Sequence, residues 1–461
     1  MIKYFLPFVL VMTAFFSVHG QNLKGKKLLK ESTLLVEQGK QREAISLLAK
    51  NFSKEDKNYD LVGLELAEHL INVKLLDSAN YFLSVAETHE KTKIGEELAS
   101  QRRVLDAEIE KYKMEVLLAW KEFDQDDFTK ANEHFSKSLT FDIGNYEAYL
   151  GLAEIQFRGG ANVEAINGLK ESLTKYCANS QDKAHIYEHL AEVYLTQRNS
   201  LAAIKACNTG MEIDADNFSF FYFKGKGLYY QRLFMEADNL FANYLRFKPE
   251  SSETWFLRGD CYYNVREFEN AILNLNKSLS IDSLNTDAFN IRGRSYFELK
   301  KYELAVADFS YLNQLYEGNF YAINALGVCE YYAGDYSSSV MHFEESLALN
   351  PTDYNTFNII NAYTKNGQNN KALALCKELG KKNRGSVKFN IIHCQVLINM
   401  NDFEGAEIWL DESVKFNPYV LEYMQLGEVV YKNTGKIGKS KNSTSIMNDF
   451  EGNPINMDLV F

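Results

Sequence analysis

Residues 252–285 read SETWFLRGDCYYNVREFENAILNLNKSLSIDSLN and decide the fold. Trp255, Gly259 and Tyr262 share one face of a helix by their i, i+4, i+7 spacing. After a turn at Arg266 and Glu267, a second set with helical spacing begins at Ala271. The segment is therefore predicted to form two amphipathic helices joined by a short turn.

The same pattern recurs on both sides of this segment with a period of 34 residues. The period relates four columns, namely Gly225, Gly259, Gly293 and Gly327; Ala237, Ala271 and Ala305; Tyr229, Tyr263, Phe297 and Tyr331; and Phe241, Leu275, Phe309 and Phe343. The Gly and Ala columns have a steric cause, because helices approach to about 8–10 Å only where the side chains at the crossing are small. A fixed period of this length indicates a stack of helical hairpins.

The segment resembles the tetratricopeptide repeat family, whose 34-residue signature is W-x2-L-G-x2-Y, then A-x3-F, then P. The resemblance implies an all-α fold, a right-handed superhelical solenoid of tandem helix–turn–helix repeats. Eleven repeats are predicted, each marked by the small residue of its second helix: Ala44, Ala79, Ala131, Ala165, Ala203, Ala237, Ala271, Ala305, Ser339, Ala372 and Ala406.

Four regions are predicted along the chain. They are a signal peptide at 1–20, weak repeats with an extra helix at 21–111, tandem repeats at 112–431, and a polar linker and tail at 432–461. The extra helix is placed at Ile94 to Tyr112, and four surplus residues near Ser180 to Lys183 are expected to lengthen a loop.

The N-terminus predicts export. Lys3 precedes an apolar run from Tyr4 to Val18, and Gly20 precedes a polar stretch, which is the layout of a secretory signal peptide. An uncleaved membrane anchor is the alternative, although it needs roughly 20 apolar residues. The predicted location is the periplasm or cell envelope, or the secreted space.

Composition bounds the function. The 50 Lys and Arg residues against 62 Asp and Glu give a net charge of −12, which argues against nucleic-acid binding, since that needs a basic surface. The 13% aromatic content and only 5 Pro fit a long helical protein. No cofactor or metal is expected, and no membrane span is expected after signal cleavage.

Three motifs suggest chemistry without specifying it. His185 to His189 match the H-x-x-E-H string of a zinc hydrolase, but the string lies in the first helix of a repeat and is easily met by accident. Gly435 to Ser440 have two residues between the glycines where a phosphate-binding loop needs four. The cysteines are expected to pack in the core, and a disulfide between Cys376 and Cys394, the only two placed to meet, is the alternative.

A basic column of Lys224, Arg258 and Arg292 precedes the glycines. It is interpreted as internal, with Asp308 as the partner of Arg292, because a charge in a helix–helix contact needs a partner. A ladder for an acidic ligand is the alternative.

The first helices of a solenoid form its concave wall, which is where such proteins bind partners. The predicted partner-binding residues are Tyr222, Lys226, Tyr229, Tyr230, Phe256, Asp260, Tyr263, Asn290, Arg294, Phe297, Tyr321, Asn324, Tyr331, Tyr332 and Phe357. About half of the aromatic ones are expected to pack between neighbouring first helices. Some family members bind a terminal carboxylate in this groove, but here only Lys226, Asn290 and Arg294 are of the right types, so that specificity is not implied.

The predicted function is a non-enzymatic scaffold that binds a protein or peptide. A zinc-dependent hydrolase using His185 and His189, or a glycan-binding envelope protein, are the alternatives.

Overall fold

A computed structural model of the protein describes residues 26–52, 58–88, 95–175, 180–316, 318–383, 385–417, 420–436 and 438–440. All regular secondary structure in these segments is helical. The predicted signal peptide and the tail from residue 441 lie outside the described residues. The chain divides into two compact units, unit 1 at Met1–Pro249 and unit 2 at Glu250–Phe461, and each is described by itself.

Unit 1 contains six described helical hairpins, in which each helix packs against the next. The helices are α1 Lys26–Glu37, α2 Gln41–Asn51, α3 Tyr59–Asn72, α4 Leu76–Glu87, α5 Gly95–Asp124, α6 Phe128–Phe141, α7 Tyr146–Arg158, α8 Asn162–Lys175, α9 Ser180–Thr196, α10 Ser200–Ile213, α11 Ser219–Tyr230 and α12 Phe234–Leu245.

Unit 2 continues with five hairpins and one further helix in its described part. The helices are α13 Ser252–Asn264, α14 Phe268–Ile281, α15 Thr286–Glu298, α16 Tyr302–Leu315, α17 Phe320–Ala333, α18 Tyr336–Leu349, α19 Asp353–Lys365, α20 Asn369–Asn383, α21 Val387–Asn399, α22 Phe403–Phe416 and α23 Leu421–Asn433. The all-α hairpin solenoid predicted from the sequence is confirmed.

The small residues that mark the predicted repeats hold the two helices of each hairpin together. All eleven lie in the second helix of a hairpin and are completely buried, from Ala44 to Ala406. The facing glycines leave room for large core side chains. A Cβ on Gly225 would lie 2.7 Å from Cε1 of Phe241, and one on Gly259 would lie 2.6 Å from Cγ of Leu275. Any larger residue at these glycines would push the helices apart.

The turn inside each described hairpin contains one residue in the left-handed conformation, five positions before the small residue. Glycine fills this position in several hairpins, as at Gly334 with φ 88°. Lys74, Asp126, Arg198, Arg232, Arg266, Lys300 and Asn401 fill it elsewhere, with φ between 57° and 65°. A non-glycine residue in this conformation costs roughly 1–2 kcal/mol, so the packed hairpin imposes this geometry on the turn.

Polar side chains start many first helices. Asn285 accepts a hydrogen bond from the backbone N–H of Ala288 at 2.9 Å, and Asn145 accepts one from Ala148 at 3.0 Å. These bonds satisfy N–H groups that have no partner inside the helix.

Two expectations about the N-terminal half differ from the structure. The extra helix is not separate, because α5 runs unbroken for 30 residues from Gly95 to Asp124. This stretch has no proline and no internal glycine, and Leu98, Leu105 and Tyr112 form a buried stripe along it. The predicted boundary at 111/112 therefore lies inside α5. The residues from Ser180 to Lys183 form the first turn of α9 and do not lengthen a loop.

The structure also differs from the predicted polar linker at its start. Lys432 belongs to α23, and the Lys436 side chain forms a salt bridge with the buried Glu407. Lys439 Nζ lies 2.6 Å from Asp411 Oδ2. The chain is thus tied to α22 as far as the described residues extend.

Candidate functional site

Consecutive first helices lie side by side in both units. In unit 1, α9 contacts α7 and α11, and in unit 2 α13 contacts α15, while α19 contacts α17 and α21. We call the exposed part of this side the first-helix face. It carries one side chain after another from different hairpins, as the repeat pattern predicts.

In unit 1, the four predicted residues of α11 are already engaged within the chain. Lys226 Nζ donates to Tyr222 Oη at 3.1 Å and lies 5.1 Å from the centre of the same ring. Tyr230 lies under the guanidinium of Arg198 at 4.9 Å. Tyr229 packs at 5.7 Å against Phe234, at the turn of its own hairpin. Cation–π and edge contacts therefore fix these rings in place.

Two glutamates of α9, Glu188 and Glu192, share this face and are not among the predicted partner-binding residues. Glu188 accepts a hydrogen bond from Asn217 at 2.9 Å, and Glu192 lies 3.9 Å from His189. Desolvation raises the pKa of Glu192. The positive charges of His189 and Lys226 oppose this rise, and the negative charge of Glu188 adds to it. The signal was present, because Glu188 and Glu192 precede Tyr222 and Lys226 by one 34-residue period each.

These contacts also bear on the zinc hypothesis. His189 faces Glu192 along its own helix, and the His185 ring lies 6.3 Å from that of Tyr146. Among the described residues, no group of three or more His, Cys, Asp or Glu side chains is arranged to hold a metal ion.

In unit 2, three of the predicted residues are buried. Asn324 accepts a hydrogen bond from Asn358 of the next first helix at 3.1 Å, and Asp260 accepts one from Asn264 at 3.0 Å. Phe357 is 7% exposed in the core. These three side chains hold neighbouring turns and helices together and do not lie on the first-helix face.

A second group packs at the hairpin turns. Tyr263 contacts Phe268 at 5.8 Å, and Tyr331 contacts Tyr336 at 5.5 Å. Phe297 contacts Tyr302 at 5.5 Å. In each case the partner is the first residue of the second helix, as it is for Tyr229 in unit 1. Burial raises the pKa of Tyr331. At each of these turns, the aromatic residue of the column therefore packs the first helix against the start of the second.

The remaining predicted residues of unit 2 stay accessible on the first-helix face. Tyr321 is 68% exposed, and its ring centre lies 3.9 Å from that of Phe320. Phe256, Asn290, Arg294 and Tyr332 are half-buried. Three consecutive first helices, α13, α15 and α17, thus present aromatic, amide and cationic groups.

The basic column is internal at Arg292. Its Nη2 and Nε donate to the two carboxylate oxygens of Asp308 at 2.6 and 2.9 Å, and Nη1 donates to Asn276 at 2.7 Å. The predicted pair is confirmed. Burial raises the pKa of Asp308 against the opposing effect of Arg292, so the bidentate hydrogen bonds offset only part of the desolvation of the carboxylate.

The cysteines in the described residues pack in the core. Cys376 and Cys394 are free and buried, as are Cys207, Cys261 and Cys329. Burial raises the pKa of the Cys376 and Cys394 thiols to about 12, so neither is a reactive thiolate at neutral pH. The disulfide alternative is not formed.

None of the described helices combines the length and the apolar character needed to cross a membrane.

Comparison with known proteins supports the repeat assignment at the hairpin of α13 and α14. The tetratricopeptide repeat family pattern matches residues 252–283, which cover α13 and α14. No curated protein matches the chain.

Several solved structures are similar over part of the chain. A tetratricopeptide repeat protein from Parabacteroides merdae is 16% identical over 54% of this chain and 98% of its own, with a TM-score of 0.39. MamA is 18% identical over 37% of this chain and 92% of its own, with a TM-score of 0.35. YrrB, a repeat protein with an unusual peptide-binding site, is 17% identical over 41% and 95%, with a TM-score of 0.33. At these scores they add nothing to the assignment, which rests on the repeat pattern and the hairpins.

Proposed function

The chain is a tetratricopeptide repeat protein, and we propose that it binds an extended polypeptide partner on the first-helix face of unit 2. The protein acts as a scaffold and carries out no catalysis. Its location is the cell envelope or the secreted space.

The observation that carries the proposal is the exposure of Tyr321, together with the partial exposure of Phe256, Asn290, Arg294 and Tyr332 on three consecutive first helices. Tyrosine and arginine are enriched among the residues that dominate binding energy. An amide such as Asn290 can pair with the N–H and C=O groups of an extended backbone. Groups spaced one per helix suit a chain that crosses several helices.

The test replaces Tyr321 by serine and Arg294 by alanine in the full chain. Both changes keep the turn contacts of Tyr263 and Tyr331 intact, so the fold is expected to persist. Loss of one central contact costs more than 1 kcal/mol, so partner affinity should fall about tenfold for each change.

The matched control is Tyr316→Ser, a 50% exposed tyrosine just after the second helix α16. Partners are captured from an envelope fraction with the wild-type protein, identified by mass spectrometry, and then titrated against each variant. The proposal fails if Tyr321→Ser and Tyr316→Ser bind the identified partner as the wild type does.

The proposed location rests on the sequence from Lys3 to Gly20, which precedes the described residues. Export with cleavage predicts a mature N-terminus at Gln21. N-terminal sequencing of the protein from its native host tests this, and an intact Met1 in the cytosolic fraction would contradict it.

A further inference from the structure

One position on the second helices of unit 2 exposes an apolar side chain in every hairpin. It lies two residues after the small residue, and we call it the outer column: Leu273 in α14, Ala307 in α16, Met341 in α18, Ala374 in α20 and Ile408 in α22. Leu273, Met341 and Ile408 are 64%, 56% and 66% exposed. These side chains project away from the core that their helices build with the first helices.

The hairpin fold does not require an apolar residue at this position. In unit 1 the equivalent residues of α6, α8, α10 and α12 are Glu133, Asn167, Lys205 and Asn239, and all four are exposed. The position is therefore polar in five of the six described hairpins of unit 1, with Ser46 in α2 as the fifth, while the half-buried Tyr81 occupies it in α4. In unit 2 it is an exposed apolar residue in five successive hairpins. Exposed apolar groups that recur at one position of every hairpin are a candidate interaction surface.

The sizes in the outer column alternate, with large residues at Leu273, Met341 and Ile408 and small ones at Ala307 and Ala374. When a second copy of this row runs in the opposite order, its large residues lie opposite the small residues of the first copy. A two-fold axis parallel to the helices and placed between α18 and α20 sets Met341 against Ala374 of a second copy, and Ala307 against Ile408. Each large side chain then meets a small one, as close helix packing requires.

Charges next to the column agree with this register. Glu345 lies one helical turn after Met341, and Lys377 lies one turn after Ala374. Both are exposed, and neither forms a salt bridge within the described residues. The neighbouring Glu344, in contrast, accepts hydrogen bonds from Tyr363 and Lys371. Because the axis is parallel to the helices, Glu345 of one copy faces Lys377 of the other.

We propose that unit 2 pairs with a second copy of this chain through the outer column, with Met341 against Ala374 and Glu345 against Lys377. The two-fold axis forms every contact twice. The contact centres on two helices from each copy, which places it among small, transient interfaces, with a Kd on the order of 10 µM.

Sedimentation velocity of the full chain, from roughly 1 to 100 µM, tests the pairing. The wild type is expected to shift from monomer to dimer across this range. Met341→Lys should remain monomeric at the highest concentration, since it places a charge in the apolar contact twice. Asn239→Lys, at the equivalent exposed position of unit 1, is the matched control and should dimerise as the wild type does.

A charge exchange identifies the register. Lys377→Glu and Glu345→Lys should each weaken dimerisation about tenfold, and the double variant should restore it, because each interface again pairs opposite charges. A wild type that stays monomeric throughout, or a double variant no better than either single one, overturns the proposal. So does a monomer whose outer column instead binds an unrelated protein, with that binding lost in Met341→Lys. Circular dichroism checks that every variant keeps its helical signal.

Discussion

Removing the Asp308 carboxylate should loosen one hairpin of unit 2 and leave the others intact. Asp308→Ala leaves the Arg292 guanidinium without its bidentate partner, with only 18% of that side chain exposed to water. Breaking a buried ion pair in this way costs about 3–5 kcal/mol. Arg292 keeps its bond to Asn276, so we expect a value near the lower end, about 3 kcal/mol.

Because each hairpin of a repeat protein contacts only its neighbours, the loss should be local. Hydrogen exchange with mass spectrometry on the full chain measures it, since local opening sets the exchange rate. Peptides from residues 286–315 should exchange about 100-fold faster in the variant. Peptides from residues 128–158 of unit 1 serve as the internal reference.

Two further variants separate the charge effect from simple loss of packing. Asn274→Ala changes the equivalent position one hairpin earlier. Because asparagine is neutral and pairs with no buried charge, this variant should speed hydrogen exchange much less. The double variant Arg292→Met/Asp308→Leu replaces the pair by apolar groups and should recover most of the protection. Wild-type exchange in Asp308→Ala, or a double variant as unprotected as the single one, would show that an unpaired buried Arg292 does not destabilise this hairpin.

Two other predictions concern stability. His342 Nδ1 lies 2.7 Å from Glu330 Oε2, and this hydrogen bond raises the pKa of His342. The pair should therefore stabilise the fold fully below about pH 6.5, the unfolded value, and lose this effect as pH rises through the raised folded pKa. Urea unfolding from pH 5 to 9 should show this slope in the wild type and not in His342→Gln. At the turn residue Arg266, with φ 65°, Arg266→Gly should raise the unfolding free energy by about 0.5–1 kcal/mol, since glycine relieves the left-handed cost but loses chain entropy. Gly334→Ala should lower it by about 1 kcal/mol, and a thermal melt in which both changes act in the same direction contradicts the reasoning.

The sequence predicted the hairpins well because their cause is local. A 34-residue period of small residues reports directly on helix crossings, and all eleven marked positions are fully buried. The Arg292–Asp308 pair was predictable for the same reason, since both residues belong to one hairpin. Interactions inside a repeat unit can thus be read from its frame.

The candidate site was harder to predict because its exposure depends on the next hairpin. Asn324 occupies the same position as Asn290, yet only Asn324 is covered, with Asn358 of the following helix as its partner. Similarly, the Tyr263 ring turns toward Phe268 and not into the groove. The 34-residue repeat gives the position of a residue on its helix. The side chains of the next hairpin determine whether that position is exposed to solvent.

The end of the repeat array shows how turn geometry adds to sequence pattern. Gly435 has φ 75° and precedes Ser440 by five residues, which is the spacing found in the other hairpin turns. The Tyr431 hydroxyl donates to Asp411, and Lys439 donates to the same carboxylate. Two hairpins earlier, Tyr363 and Lys371 donate to Glu344 in the same way.

The polar composition after Tyr431 predicts a linker. The hydrogen bonds of Tyr431 and Lys439 to Asp411, however, require an ordered backbone and depend little on apolar residues. Residues 421–436 therefore form a first helix and a turn that follow the rule of the eleven preceding hairpins, and residues 438–440 are again helical. Asp411→Ala removes the acceptor shared by Tyr431 and Lys439, and it should speed hydrogen exchange in α23 while leaving α19 unchanged. Equal exchange of both helices in this variant would mean that apolar packing alone holds α23 in place.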